Sequence, residues 1–391
     1  MTKKGNPENA RKINTSLILI KLKEQGQISR AELARSLKLS KMTISSIVAD
    51  LLEAGLVIEI GEGDSMKQGG RKPILLTLPE KSKFVLGIDV GLTNTAVAIG
   101  NLRGEFVYKL RVPTRRNHSQ SSILEQIKEL SASVIDESKV DRESILGVGL
   151  SIGGMVNKEV GYITESPDFN WRDVPLKTQL EDALKLPVVI DNCSRVMALG
   201  EKWYGKARGV DNFFFVNVGF GIGSAIVINN KIYEKNSEFG HIFITKKNVR
   251  CACGKIGCLE SVSSGHAIER VANQILPERN GDWYSAREVA ELAAADNSDA
   301  ARIFQEAGKY LGRALAIVAT LFNPDKVVIG GGVANSGELL LEPLMEEFRL
   351  HCMDIIKDST KVELSGLGMD AGIVGAVSLA LDQYVFHSER V

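Results

Sequence analysis

The chain has 391 residues, 44% hydrophobic and 25% charged, with a formal net charge of zero. A sequence of this size and balance buries its core without disulfide staples and divides into two or three domains of about 100–200 residues. No apolar run approaches the roughly 18 residues of a membrane span, and no apolar leader follows Met1-Thr2-Lys3-Lys4-Gly5, so the expected location is the cytoplasm. The neutral total hides an asymmetry. Residues 1–83 carry 15 Lys and Arg against 9 Asp and Glu, and the remainder 33 against 39. A basic head on an acidic body suggests a nucleic-acid-binding module joined to something else.

The head reads as three helices and a hairpin. Ile13, Leu17, Ile18, Ile20 and Leu22 give the first helix an apolar face. Ser29-x-x-Glu32 is a capping box opening a short second helix with Ala31, Leu33, Ala34 and Leu37 inward. Ser40 can cap a third helix from Lys41 to about Ala54, and Lys38-Leu39-Ser40 has the helix-turn-helix turn length. Leu56–Ile60 and Ile74–Leu78 read as the strands of a wing. A third helix of this kind enters the major groove by its N-terminal end, which makes Lys41, Thr43, Ser45 and Ser46 the expected base and phosphate contacts. Between the wing strands, Gly69-Gly70-Arg71-Lys72-Pro73 can lay Arg71 into a narrow minor groove with Lys72 beside it. A tri-helical protein-interaction domain with a solvated basic loop is the blander alternative.

From Phe84 strands alternate with helices, an α/β pattern. The strand Phe84–Asp89 runs into Asp89-Val90-Gly91-Leu92-Thr93-Asn94-Thr95, where an Asp and a Gly/Thr turn suit a magnesium–phosphate unit. A plain structural turn has the same composition. Phe213–Val218, Gly219-Phe220-Gly221-Ile222-Gly223 and Ser224–Ile228 repeat the strand-turn-strand unit, and Gly330-Gly331-Gly332 follows Val327–Ile329. Three glycine turns at strand ends match the phosphate and nucleoside framework of the actin/hexokinase-type fold. His241, Cys251, Cys253 and Cys258 form a Cys₃His set whose Cys-x-Cys-x₄-Cys cluster is too tight for core cysteines. Four such ligands with no open position describe a structural zinc ion.

The head together with Asp89–Thr95, Gly219–Gly223, Glu238-Phe239-Gly240-His241 through Cys258-Leu259-Glu260, and Gly330–Gly332 resembles the ROK family of repressors, open reading frames and sugar kinases, over essentially the whole chain. A winged helix in front is the layout of its repressor branch. The resemblance implies a two-lobed, actin-like ATPase (ribonuclease H-like) sugar-kinase-type body with zinc on His241, Cys251, Cys253 and Cys258. It also implies a sugar read by Asn192, Glu238, His241 and Glu260, with Gly153 and Gly154 letting it approach. Kinases of the family use an Asp directly after the Asn as general base, and Cys193 stands there. Asp191, one residue earlier on a strand, points to the opposite face. Leu92 and Phe220 add bulk to the two phosphate turns.

The expected architecture is therefore a winged helix-turn-helix domain over 1–80, joined near Pro79–Lys83 to a first lobe over 84–190. A helix over about 372–391 returns to that lobe, and the second lobe, over 191–371, carries the metal. The expected function is a non-catalytic, sugar-responsive repressor that binds operator DNA as a homodimer or higher homo-oligomer. An active sugar kinase with a DNA-binding head is the alternative from another class, and control by a sequestering protein partner is a third.

Overall fold

A computed structural model describes residues 7–62, 72–235, 237–279 and 282–387. The chain opens with α1 (Pro7–Gln25), β1 (Ile28–Ser29), α2 (Arg30–Leu37), α3 (Lys41–Glu53), β2 (Ile58–Glu62) and β3 (Ile74–Thr77). The Ser29 hydroxyl accepts from the Glu32 amide while the Glu32 carboxylate accepts from the Ser29 amide, which starts α2. Ser40 starts α3 by accepting from the Thr43 amide. Ile18, Leu19, Leu22, Leu33, Ile44, Ile47, Val48 and Leu51 are buried as the head's core. The inward stripe of α1 differs from the expected one. Ile13 and Leu17 are 60% and 40% exposed, whereas Thr15, Ile18, Leu19 and Leu22 face inward, the i, i+3, i+4, i+7 spacing of a helix packed on one side.

The wing is a sheet in the order β1-β3-β2, antiparallel throughout. Its first hairpin strand starts two residues later than expected, because the Leu56 and Val57 amides still donate to the Leu51 carbonyl. Lys72 is exposed at the start of the returning strand. Gly69, Gly70 and Arg71 lie outside the described residues.

The body begins with β4 (Phe84–Val90), β5 (Asn94–Asn101), β6 (Phe106–Pro113), α4 (Gln120–Ser138) and β7 (Ile145–Ile152). A small sheet of β8 (Met155–Asn157), β9 (Tyr162–Ser166) and β10 (Trp171–Val174) precedes α5 (Leu176–Leu184), β11 (Val188–Asn192) and α6 (Cys193–Tyr204). The next half comprises β12 (Phe213–Val218), β13 (Ile222–Ile228), β14 (Lys231–Ile232), α7 (Glu260–Ser263), α8 (Gly265–Ile275), α9 (Ala286–Ala294), α10 (Ser298–Phe322) and β15 (Lys326–Gly330). It closes with α11 (Glu338–His351), α12 (Asp354–Ser359), β16 (Lys361–Leu364) and α13 (Ala371–Leu381), which runs into a π-helical turn, Asp382–Phe386.

The two large sheets share one topology. Their orders are β11-β7-β4-β5-β6 and β14-β13-β12-β15-β16. In each, three antiparallel strands are followed by two that join in parallel on the far side of the first. All seven residues of β4 are buried, as a central strand covered on both faces requires. The helix after each sheet leans on the other sheet: α13 packs on β4 and β7, α6 on β12 and β13, and the two helices pack on each other. The helix α13 ends at Leu381, and residues 388–391 lie outside the described set.

Candidate functional site

The strand β11 delivers Asp191 and Asn192 to the point where α6 starts. Asn192 is the N-cap: its Oδ1 accepts from the Ser194 amide at 2.9 Å, and its Nδ2 donates to the Gly154 carbonyl at 2.8 Å. The Asn192 amide therefore anchors the Gly153-Gly154 turn and keeps one N–H for a ligand. Gly154 has φ +112°, and a Cβ there would stand 2.7 Å from the Glu165 carbonyl oxygen, so glycine is required; a Cβ on Gly153 would meet open space. Asp191 points away from this turn, as alternation along a strand demands. It is buried with Arg195, whose Nε donates to its Oδ1 at 2.7 Å, and the Asn192 amide donates to the same oxygen.

Cys193 follows as the first residue of α6, with the Asn217 amide nitrogen 3.9 Å from its sulfur. Burial, then the nearby Asp89 carboxylate, pushes its thiol up to about 12. Asp89 itself accepts from the Ser151 hydroxyl at 2.7 Å and is pushed up by burial. Leu92 is half-buried against the first sheet's core, so its bulk goes inward and does not stand in the turn. Phe220 is 42% exposed and lies over the His266 ring with centroids 5.0 Å apart. The first amides of α8 are spent on this loop: Gly265 donates to the Gly219 carbonyl and His266 to the Phe220 carbonyl.

On the facing lobe, a 3₁₀ turn Phe239–His241, preceded by the exposed Glu238, brings His241 to the cysteine loop. His241 Nδ1 is 3.6 Å from Cys251 Sγ, and Cys253 Sγ is 3.6 Å from Cys258 Sγ. One ligand atom from each of the four lies within 4.8 Å of the others. Tetrahedral bonds of ordinary zinc length place two sulfurs about 3.8 Å apart and a sulfur and ring nitrogen about 3.6 Å apart. Desolvation pushes the Cys251 and Cys258 thiols up, whereas hydrogen bonds from the Lys255 backbone and the neighbouring cysteines draw Cys253 down. The cluster can hold a metal ion.

Glu260 connects this cluster to the Gly219–Ile222 turn. Its Oε1 is 3.6 Å from Cys251 Sγ and 4.0 Å from His241 Nδ1, while Oε2 accepts from the Ile222 amide at 2.9 Å. The motif predicted a ligand-binding carboxylate, but not that it would brace the Gly219–Ile222 turn as well. Asp168, between β9 and β10, was not legible as a neighbour of Glu260, His241 and Cys193. Burial and then Glu260 push its carboxyl up, opposed by His241 and His266, and it in turn raises Cys193. Its loop is fixed by His118 packing edge-on to Phe169, Phe169 tilted against Trp171, and the Trp171 indole N–H donating to the His118 carbonyl at 2.8 Å. Pro167-Asp168 before two aromatics was the only local signal.

In the head, Lys41 and Ser45 are exposed on the first turns of α3, and Thr43 is half-buried with its hydroxyl 2.8 Å from that of Ser40. The Ser46 hydroxyl accepts from Arg11 of α1, and Arg11 also pairs with Asp50. Ser46 thus ties α1 to α3 as well as lying on the exposed side. Among the described residues, no helix is long and apolar enough to cross a membrane.

Comparison with known proteins agrees with this layout. Residues 85–383 match the ROK family and residues 14–58 the MarR family. The xylose repressor of Caldicellulosiruptor bescii is 29% identical, over 98% of this chain and 99% of that protein. A glucokinase of Halalkalibacterium halodurans is 32% identical, over 77% of this chain and 96% of its own. The crystal structure of a ROK family transcriptional regulator, a homologue of the E. coli MLC protein, superposes with a TM-score of 0.82 at 25% identity, covering 97% of each chain. The chain belongs to the ROK family.

Proposed function

We propose that this protein is a sugar-responsive transcriptional repressor. The observation that carries the reading is one chain joining a helix-turn-helix head to a sugar-kinase-type cleft in which a thiol follows Asn192. Residues 1–80 serve DNA, with Lys41, Thr43, Ser45, Ser46, Arg71 and Lys72 as contacts. Residues 84–190, with the helix from about 372, form one jaw of the cleft, and residues 191–371 the other. Asn192, Glu238, His241 and Glu260 read sugar hydroxyls, and Gly153 and Gly154 bring backbone to the ligand. His241 Nδ1 and the sulfurs of Cys251, Cys253 and Cys258 hold a structural zinc ion, which fixes the His241 ring against the sugar. The protein works in the cytoplasm as a homodimer on a two-fold operator.

The likeness to xylose repressors makes D-xylose the first sugar to try, and the cleft's amide and carboxylates suit a neutral polyol. Operator titration by fluorescence anisotropy, with and without a panel of pentoses, hexoses and acetylated hexosamines, tests the reading. One sugar should weaken operator binding, and Lys41→Ala and Thr43→Ala should weaken binding without altering sugar affinity. No sugar effect on operator affinity refutes it. The glucokinase likeness favours a second reading, an active sugar kinase, for which coupled ADP release with the effective sugar is decisive.

A further inference from the structure

Head and body meet at a joint that neither the helix-turn-helix nor the cleft requires. Near the end of α1, Lys23 Nζ lies 3.0 Å from the centroid of the Trp203 ring, with Phe386 at 5.5 Å and Tyr204 at 5.6 Å. Trp203 and Phe386 pack edge to face at 5.2 Å. Arg208 donates to the Glu24 carbonyl beside them. The head's core is continuous here with the body's, from Ile18, Leu19 and Leu22 to Leu381, Val385 and Phe386.

Both walls of the joint belong to helices that start at the cleft. α6 begins at Cys193, capped by the Asn192 that holds Gly154, and ends at Trp203 and Tyr204, about 16 Å away at the helical rise. α13 begins against Asp89, where a Cβ on Gly372 would stand 2.1 Å from the carboxylate, and runs into the turn that carries Phe386. The two helices touch through backbone. A Cβ on Gly375 would lie 2.2 Å from the Val196 carbonyl oxygen, and one on Gly200 would lie 3.1 Å from the Gly375 nitrogen. Elements packed this closely shift together instead of absorbing a displacement. At its other end, α1 is tied to the recognition helix by Arg11 with Ser46 and Asp50.

We infer that the seat of Lys23 on Trp203 and Phe386 is the coupling joint of the molecule, passing displacements of the α6/α13 pair at the cleft to α1 and so to α3. The inference rests on the sugar-responsive reading and names the contact by which that response travels. Lys23 and Trp203 are positioning residues, remote from sugar and DNA alike. The joint is also poised to open. Burial strips the Lys23 amine of water and draws it down to about 6 against the nearby Asp382 carboxylate, so apolar packing must offset the cost of seating it.

The full-length protein provides the test. Operator Kd is measured with and without D-xylose, and with the rest of the sugar panel, and sugar Kd is measured by calorimetry. Lys23→Met keeps the stem without the amine and its cost of burial and holds the joint shut; Trp203→Leu removes the ring and loosens it. In either variant, sugar Kd should stay within about threefold of wild type, while the sugar-induced change in operator Kd falls from the roughly 5–150-fold of ordinary allosteric coupling to less than about twofold. Full retention of that change in both variants overturns the joint while leaving the repressor reading intact. A wild-type protein whose operator affinity no sugar alters refutes the repressor reading and the joint with it. Should Trp203→Leu fail to fold, Lys23→Met alone decides.

Discussion

Replacing Asp191 with Asn separates a structural carboxylate from a chemical one. Asp191 and Arg195 are 7% and 5% exposed, and Asp191 Oδ1 receives both the Arg195 Nε at 2.7 Å and the Asn192 amide at 2.7 Å. The substitution removes the charge facing a buried guanidinium at the first turn of α6. Breaking one partner of such a pair costs about 3–5 kcal/mol. At about 2–4 °C per kcal/mol for a domain of this class, the melting temperature should fall by on the order of 10 °C. Adding Arg195→Met should recover at least half of the loss, because the site then no longer buries a guanidinium that has lost its carboxylate. Calorimetry of the single variants and the double variant reads this directly, with coupled ADP release run on the same samples. A melting temperature unchanged by Asp191→Asn refutes the structural assignment. So does sugar-dependent ATP turnover in wild type that vanishes in the variant, since Asp191 would then be a base.

Cys253→Ser, or dialysis against a chelator, should lower the metal content from about one zinc per chain, reduce stability and blunt the sugar response together; elemental analysis showing no zinc in unchelated protein contradicts this. Glu260→Ala should abolish the effect of sugar on operator binding while leaving operator affinity unchanged in anisotropy, because the carboxylate braces the cleft turn and not the head. Cys193, held up to about 12, contributes stability that is fully present below the ordinary thiol value of about 8.5 and is lost as pH rises toward its folded value. Iodoacetamide at pH 8 should therefore label Cys193 on the order of 10³-fold more slowly in the native protein than in guanidinium. Peptide mapping that finds equal rates removes the buried-thiol picture.

What the sequence revealed follows the range of the physics involved. The Ser29–Glu32 box, the Ser40 cap and the strand before Gly219 are built from neighbours within a few residues, and the structure has them. The cysteine loop was legible because three ligands fall within eight positions and the chain can close on itself there. Asp168, the bracing role of Glu260 and the inward turn of Leu92 all depend on segments far apart in sequence, and no local pattern reports them. The α1 stripe went astray for the same reason. Thr15 is buried and Ile13 exposed because the helix packs toward both β3 and the Asp382–Phe386 turn, which ranking residues by hydropathy does not foresee.

The exchange of covering helices has a consequence for assembly. β4 begins at Phe84, yet the helix that seals one of its faces begins at Ala371, after the whole second sheet has been made. Within the head, α2, α3 and the wing close on contacts inside the first 78 residues, whereas one side of α1 and the sheet beside the head stay uncovered until nearly all the remaining chain has emerged. Contacts spanning such separations form slowly and leave apolar surface waiting. During synthesis, the recognition helix and the wing are thus formed well before the segment that regulates them. Protease nicking in the second sheet should leave two fragments clasped through β4, β7 and α13, neither of them able to complete the body alone.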